Sequence, residues 1–312
     1  MQDPLQQRIY VAGHTGMVGS AISRRLKRDG YLLVGPKSRV DLRDQRRTMD
    51  MFSELKPDLV FLAAAKVGGI YANLTYPADF IYDNLMIQTN VIHASCQHSV
   101  KKLLFLGSSC IYPAKSPQPI KEEYLLSGYL EKTNEAYALS KIAGIFMCQS
   151  YNRQYGTNFI SLMPANLYGP GDTFDPSNSH VIPALIRKIH TGKESGAESV
   201  EIWGTGNPRR EFLYVDDLAD ACLFLMENYD SSEIINVGAG KEVTIRDLAH
   251  LIGEVIGYRG EFTFNDDMPD GVPQKLLNTS KIAKMGWQPS TALREGLEKT
   301  YQWFLDNVAG SG

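Results

Sequence analysis

The chain has 312 residues, 43% of them hydrophobic and 21% charged, with a formal net charge of −3. This is the composition of an ordinary globular chain, and it gives no bulk electrostatic case for nucleic acid or an anionic membrane as partner. No apolar run reaches the roughly 18 residues that a bilayer-spanning helix needs. The polar start lacks the basic and then apolar pattern of a secretory signal. Cys96, Cys110, Cys148 and Cys222 show no paired metal-ligand spacing, so the expectation is a cytoplasmic protein with free thiols and no metal.

The first strand is read at residues 8–12, and the stretch VAGHTGMVGSAI joins it to an amphipathic helix over 17–29. Gly13, Gly16 and Gly19 let the turn close, let the backbone approach a diphosphate and let the helix pack on its strand, with the helix N-terminus facing the anion. His14, Thr15, Met17 and Val18 complete this dinucleotide loop. A second strand at 31–35 runs into VGPKSRVDLRD, where no acid directly follows Val34 and Lys37 and Arg39 stand instead. An NAD site places a carboxylate there for the ribose 2′-hydroxyl, whereas cations suit the 2′-phosphate of NADP. Asp41 and Leu42 are then candidates for the adenine. A helical pattern through 48–55 leads to a third strand over 58–65, which ends on the small side chains Ala63, Ala64 and Ala65 where the cofactor would pass.

A long helix fits 77–99, and a fourth strand at 102–107 opens into FLGSSCIYP. The next helix, 135–156, carries Tyr137 and Lys141 four residues apart, hence on one face. An ammonium beside a phenol is expected to lower its pKa from about 10. Such a tyrosine can protonate a developing alkoxide while a nicotinamide passes hydride. A fifth strand closes the series at 158–164. Alternating strands and helices predict a doubly wound parallel sheet of Rossmann type over residues 1–170. Beyond it, strands at 199–204, 210–215 and 233–238 and helices at 179–190 and 215–229 predict a smaller α/β lobe over 171–312, with strands free to cross between the two.

The glycine loop and the Tyr137–Lys141 pair resemble the extended, nucleotide-sugar-modifying branch of the short-chain dehydrogenase/reductase superfamily. Longer stretches, among them LAAAKVGGIYAN, KKLLFLGSSCIYP, NSHVIPALIRK and WGTGNPRREFLYVDDLADA, resemble the GDP-L-fucose synthases within that branch over nearly the whole chain. The resemblance implies 3,5-epimerisation and NADPH-dependent 4-reduction of GDP-4-keto-6-deoxy-D-mannose. It implies that Ser108, Tyr137 and Lys141 serve reduction and that Cys110 and His180 are the epimerisation base and acid. It implies cofactor contacts from Leu106, Gly107, Ser109, Lys141, Pro164, Asn166, Leu167 and His180. It assigns sugar-nucleotide contacts to Lys188, Trp203, Arg210, Asp270 and Lys275.

Three positions depart from the family pattern: Thr15, Lys188 and Gln274 stand where arginine is usual. The same catalytic set would serve a related GDP-sugar, such as a dideoxy or heptose derivative. A non-catalytic NADP-binding scaffold would more commonly have lost the tyrosine or lysine. The helices carrying apolar residues at 80, 81, 85, 87, 91 and 92 and around Tyr137 are apolar beyond one face. A helix of that kind is buried on more than one side, and the resemblance implies a homodimer with a four-helix interface.

Overall fold

Runs such as Leu-Leu-Phe-Leu at 103–106 are apolar at every position, and a strand of that kind is stable only with both faces covered. In the computed structural model, which describes residues 4–175, 179–268 and 270–311, they form the middle of one parallel sheet. Residues 1–3 of the polar start, 176–178 of the loop before His180, 269 and 312 lie outside the described residues. In chain order the elements are β1 (Arg8–Ala12), α1 (Met17–Arg28), β2 (Leu32–Val34), α2 (Gln45–Leu55), β3 (Leu59–Leu62), α3 (Ile70–Thr75), α4 (Pro77–Gln97) and β4 (Lys102–Leu106). There follow α5 (Glu135–Tyr155), β5 (Phe159–Pro164), β6 (Asn166–Tyr168), α6 (Val181–Glu194), β7 (Ser199–Trp203), β8 (Arg209–Tyr214), α7 (Val215–Asn228) and β9 (Ile235–Val237). The chain ends with β10 (Glu242–Thr244), α8 (Ile245–Ile256), β11 (Glu261–Asn265), β12 (Gln274–Lys275), α9 (Ser280–Lys284) and α10 (Leu293–Asn307).

The large sheet has the order β2-β1-β3-β4-β5-β9, and all its pairs are parallel. The order reverses between β1 and β3, the place where doubly wound sheets open a crevice for a ligand at the carboxyl ends of their strands. The Rossmann-type expectation is thus borne out. Elements from late in the chain complete this layer. β9 adds the sixth strand, and α7 lies along α1 through Arg24–Asp216 at 2.7 Å and Arg25–Asp220 at 3.0 Å. Lys102, buried at the start of β4, donates to the carbonyls of Leu225 and Met226 and to Asp230. A cation there satisfies the free carbonyls at the C-terminal end of α7.

A second core gathers Tyr168, Ile186, Phe212, Leu248, Ile252 and Phe304. It holds β8 with β6, β10 and β12 in one small sheet and β7 with β11 in another. Residues 242–307, for which the sequence pattern predicts no element, hold β10, α8, β11, β12, α9 and α10. All four cysteines are free. Among the described residues no helix is long and apolar enough to cross a membrane, and no cluster of His, Cys, Asp or Glu is placed to hold a metal ion.

Candidate active site

The glycine loop is shaped by close approach. Gly13 has φ +85°, and a Cβ there would sit 2.7 Å from the Ala64 nitrogen, so only glycine lets the ends of β1 and β3 meet. The Gly16 N–H donates to the Gly13 carbonyl at 3.0 Å. Gly16 is also the N-cap of α1, and no side chain caps that helix. The first-turn N–H groups therefore face outward uncapped, with the helix dipole behind them, as an anion requires. These residues fit the diphosphate of a dinucleotide. Beyond β2, Lys37 and Arg39 are exposed, as are His14 and Thr15. Asp41, the next carboxylate along the chain, is gripped by Nε and Nη2 of Arg43 at 3.0 and 2.7 Å, while Nη1 of Arg43 reaches Asp83 at 2.9 Å. That grip lowers the Asp41 carboxyl to about 2. The Leu42 carbonyl is fixed by the Asn90 amide of α4 at 2.9 Å.

β4 ends at Gly107, whose N–H donates to Leu162 of β5 at 2.9 Å. Ser108 then caps a single 3-10 turn, accepting the Cys110 N–H at 3.1 Å. This turn brings the loop back toward α5, with the Ser108 hydroxyl beside that of Tyr137. The Lys141 ammonium donates to the Leu106 carbonyl at 2.8 Å and lies 5.8 Å from the centre of the Tyr137 ring. Phe80 of α4 meets that ring edge-on at 6.4 Å. Pro164, at the end of β5, adjoins the same edge of the sheet. Asn166 of β6 donates to the Glu211 carbonyl at 3.0 Å, tying that edge to β8.

The expected lowering of the Tyr137 pKa is not what the structure shows. Burial pushes the phenol up, charge on Cys110 adds to the rise, and only the Ser108 hydroxyl opposes it. Spacing along a helix reveals the neighbouring lysine but not the loss of solvent, which here is the larger effect. A raised pKa keeps Tyr137 protonated, which is the form a proton donor needs. Burial also lowers Lys141, to about 7. Between that value and the roughly 10.4 of an unfolded lysine, the unfolded chain binds the extra proton, so stability rises with pH. The cofactor-free protein is expected to gain on the order of 2 kcal/mol from this residue between about pH 7 and 9. Urea unfolding of wild type and Lys141→Met at both pH values checks it: equal pH slopes would refute the lowering of Lys141 by burial.

Cys110 is partly exposed. Its sulfur is approached by Asn134 Nδ2 at 3.3 Å and by Lys275 Nζ at 3.5 Å. His180 stands at the N-cap of α6. Among the described residues it makes no hydrogen bond to Ser108, Cys110 or Tyr137. Its residue surface is exposed, yet the protein around its ring lowers its pKa below the ordinary imidazole value by desolvation.

The five proposed sugar-nucleotide residues separate into groups. Lys188 lies 5.9 Å over the Trp203 ring, which is 62% exposed and offers a flat apolar face. Arg210 reaches the Asp270 carbonyl at 3.4 Å, while the Asp270 carboxylate accepts from Thr205 N and Oγ1 at 2.8 and 2.7 Å. Lys275 pairs in register with Arg210 on the neighbouring strand and extends to Cys110. Gln274 gives its amide to Glu242 at 2.9 Å. Sequence reasoning missed Asn134, Gln118 and Glu211. Asn134 stands at the start of a helix, where asparagine is a recognisable cap, but it makes no cap bond. The other two act through contacts distant in sequence and leave no local signal.

The sequence matches the NAD dependent epimerase/dehydratase family over residues 9–238. It is 57% identical to GDP-L-fucose synthase 1 of Arabidopsis thaliana over 303 residues, covering 96% of this chain and 94% of that protein. A GDP-L-fucose synthetase from Naegleria fowleri bound to NADP superposes with a TM-score of 0.90 at 30% identity, covering 98% of this chain and 96% of that one. A GDP-6-OMe-4-keto-L-xylo-heptose reductase from C. jejuni superposes with a TM-score of 0.92 at 39% identity, covering 98% and 99%. The glycine cradle, the Ser108–Tyr137–Lys141 group and these likenesses lead to one assignment: the chain belongs to the NAD dependent epimerase/dehydratase family, in its GDP-L-fucose synthase branch.

Proposed function

We propose that the chain converts GDP-4-keto-6-deoxy-D-mannose to GDP-L-fucose by 3,5-epimerisation and NADPH-dependent reduction at C4. The observation that carries this reading is a single turn after β4 that presents Ser108 to Tyr137 and, two residues on, a partly exposed thiol beside a cation. A reductase needs the first pair only; the thiol belongs to proton abstraction beside a ketone. NADPH, when bound, supplies the hydride for C4. The Ser108 and Tyr137 hydroxyls hydrogen-bond the C4 oxygen, which makes the C3 and C5 protons more acidic. Cys110 removes each proton to its sulfur, leaving the electron pair in an enolate, and His180 returns a proton to the opposite face. Tyr137 finally donates its proton to the C4 oxygen, with Lys141 holding the cofactor side of the group. Residues of the smaller lobe, including Lys188, Trp203, Arg210 and Asp270, take the sugar nucleotide.

The test is incubation with NADPH and the keto sugar, with product stereochemistry read by NMR. The L-fucose configuration supports the reading. A C4-reduced product with C3 and C5 unchanged overturns it and favours a reductase on a related GDP-sugar, the second reading that the heptose reductase likeness supports.

Lys37 and Arg39 beyond β2, with Asp41 already paired, support NADPH over NADH. Double substitution of Lys37 and Arg39 by alanine is expected to narrow that preference roughly 10-fold or more, given about 1.5–3 kcal/mol for hydrogen bonds to charged groups. Direct titration by cofactor fluorescence reads it, and an unchanged ratio would show a merely solvated basic turn. The free cysteines fit a reducing compartment, the cytoplasm. A homodimer is proposed through α4 and α5, which leave Tyr82, Leu139 and Phe146 exposed at 61, 44 and 42%. Sedimentation at micromolar concentration is expected to give twice the chain mass of 34.8 kDa; the single-chain mass would rule the dimer out.

A further inference from the structure

The Cys110 sulfur has two nitrogen donors, one from 24 and one from 165 residues away in the chain. Asn134 approaches from the residue before α5 at 3.3 Å, and Lys275 from β12 at 3.5 Å. Both contacts are built at a cost elsewhere. Asn134 occupies the N-cap of α5 without making a cap bond, and its Oδ1 is buried with no partner. An asparagine at that place gains stability by accepting a helix N–H, and a buried unmet carbonyl is unfavourable. Its amide is turned instead so that the NH₂ meets sulfur. Lys275 is partly buried and has no carboxylate partner among the described residues. Its strand is pinned on both sides. Arg209 N donates to the Pro273 carbonyl at 2.8 Å, the Gln118 Oε1 accepts from Leu276 N at 2.8 Å, and the Glu211 carboxylate accepts from Leu277 N at 2.9 Å. The backbone that carries Lys275 is therefore fixed, and its ammonium extends to the sulfur.

We propose that Lys275 and Asn134 are positioning residues that hold Cys110 as an aimed thiolate, a role for Lys275 distinct from contact with the sugar nucleotide. A sulfur anion accepts both hydrogen bonds and is complemented by the ammonium, whereas a neutral thiol accepts weakly and gains nothing from the charge. The other titratable groups around this sulfur are Tyr137 on α5 and Tyr112, both kept neutral by burial, and Glu131, which with Tyr112 lines a cavity of about 50 Å³ beside Cys110. Glu131 works against the thiolate, and Lys275 is the only cation in contact with the sulfur among the described residues. The functional consequence rests on the reading of Cys110 as the epimerisation base; the thiolate cradle itself does not.

The test measures the rate of Cys110 alkylation by iodoacetamide against pH in the substrate-free full chain, resolved by peptide mass spectrometry with Cys96 as internal control. In Lys275→Met the pH midpoint for Cys110 is expected to rise by about one unit, lowering alkylation near neutral pH roughly 10-fold, in line with the removal of an adjacent opposite charge. Lys275→Arg is expected to restore most of the shift, and Asn134→Ala to raise the midpoint by a smaller amount, with Cys96 unaffected throughout. If Lys275→Met does not fold, Lys275→Gln and Asn134→Ala read the same midpoint. An unshifted midpoint overturns the cradle whatever the activity. A shifted midpoint with wild-type exchange of the C3 and C5 protons upholds the cradle and overturns Cys110 as the base. A shift accompanied by slower exchange upholds both.

Discussion

Tyr137→Phe is expected to slow hydride transfer by about 10²- to 10⁴-fold, the range typical of losing one general acid. Phenylalanine keeps the ring against Phe80 and removes only the hydroxyl beside Ser108, so the fold and the cofactor cradle should persist. The raised pKa of the phenol strengthens this expectation, because a tyrosine held neutral has its proton available whenever the alkoxide forms. Single-turnover NADPH oxidation is the measurement. Exchange of the C3 and C5 protons should survive in part, since Cys110 and His180 are untouched. NADPH oxidation near the wild-type rate would refute the assignment.

The second large effect is expected from Cys110→Ser. A serine hydroxyl does not ionise near neutral pH and so cannot supply the base that a thiolate supplies, so exchange of the C3 and C5 protons with deuterated solvent should fall by about 10²- to 10⁴-fold. Serine can still accept from Asn134 and Lys275, the two donors now on the sulfur, so loss of exchange would not be a loss of folding. NADPH affinity should be unchanged, because the glycine cradle lies at the ends of β1 and β3. Exchange at the wild-type rate would leave the thiol without a role.

The departures from the family pattern take on different weights once side chains are placed. Gln274 stands where a cation is usual, yet its amide bonds Glu242, which also pairs with Arg209. The change therefore alters an ion pair within the lobe. Lys188 keeps its charge over Trp203, but an ammonium cannot make the bidentate contact of a guanidinium. Thr15 is exposed beside the glycine loop, and Lys37 and Arg39 are left to supply the positive charge there.

The alternation of apolar runs with amphipathic stretches, the glycine spacing, the Tyr-x-x-x-Lys pair and the Ser-Ser-Cys turn were all legible in the sequence, because each is a pattern among neighbours that backbone geometry converts directly into structure. The long-range arrangement was not. That β9 joins the first sheet and α7 lies on α1 depends on which surfaces meet after folding. The direction of the Tyr137 pKa depends on how completely the surrounding elements exclude water from its hydroxyl. The approach of Lys275 to a sulfur 165 residues away in sequence depends on Gln118 and Glu211 fixing a two-residue strand. Local spacing selects which groups can do chemistry; desolvation and charge contact, which belong to the packed structure alone, decide the protonation state in which they do it.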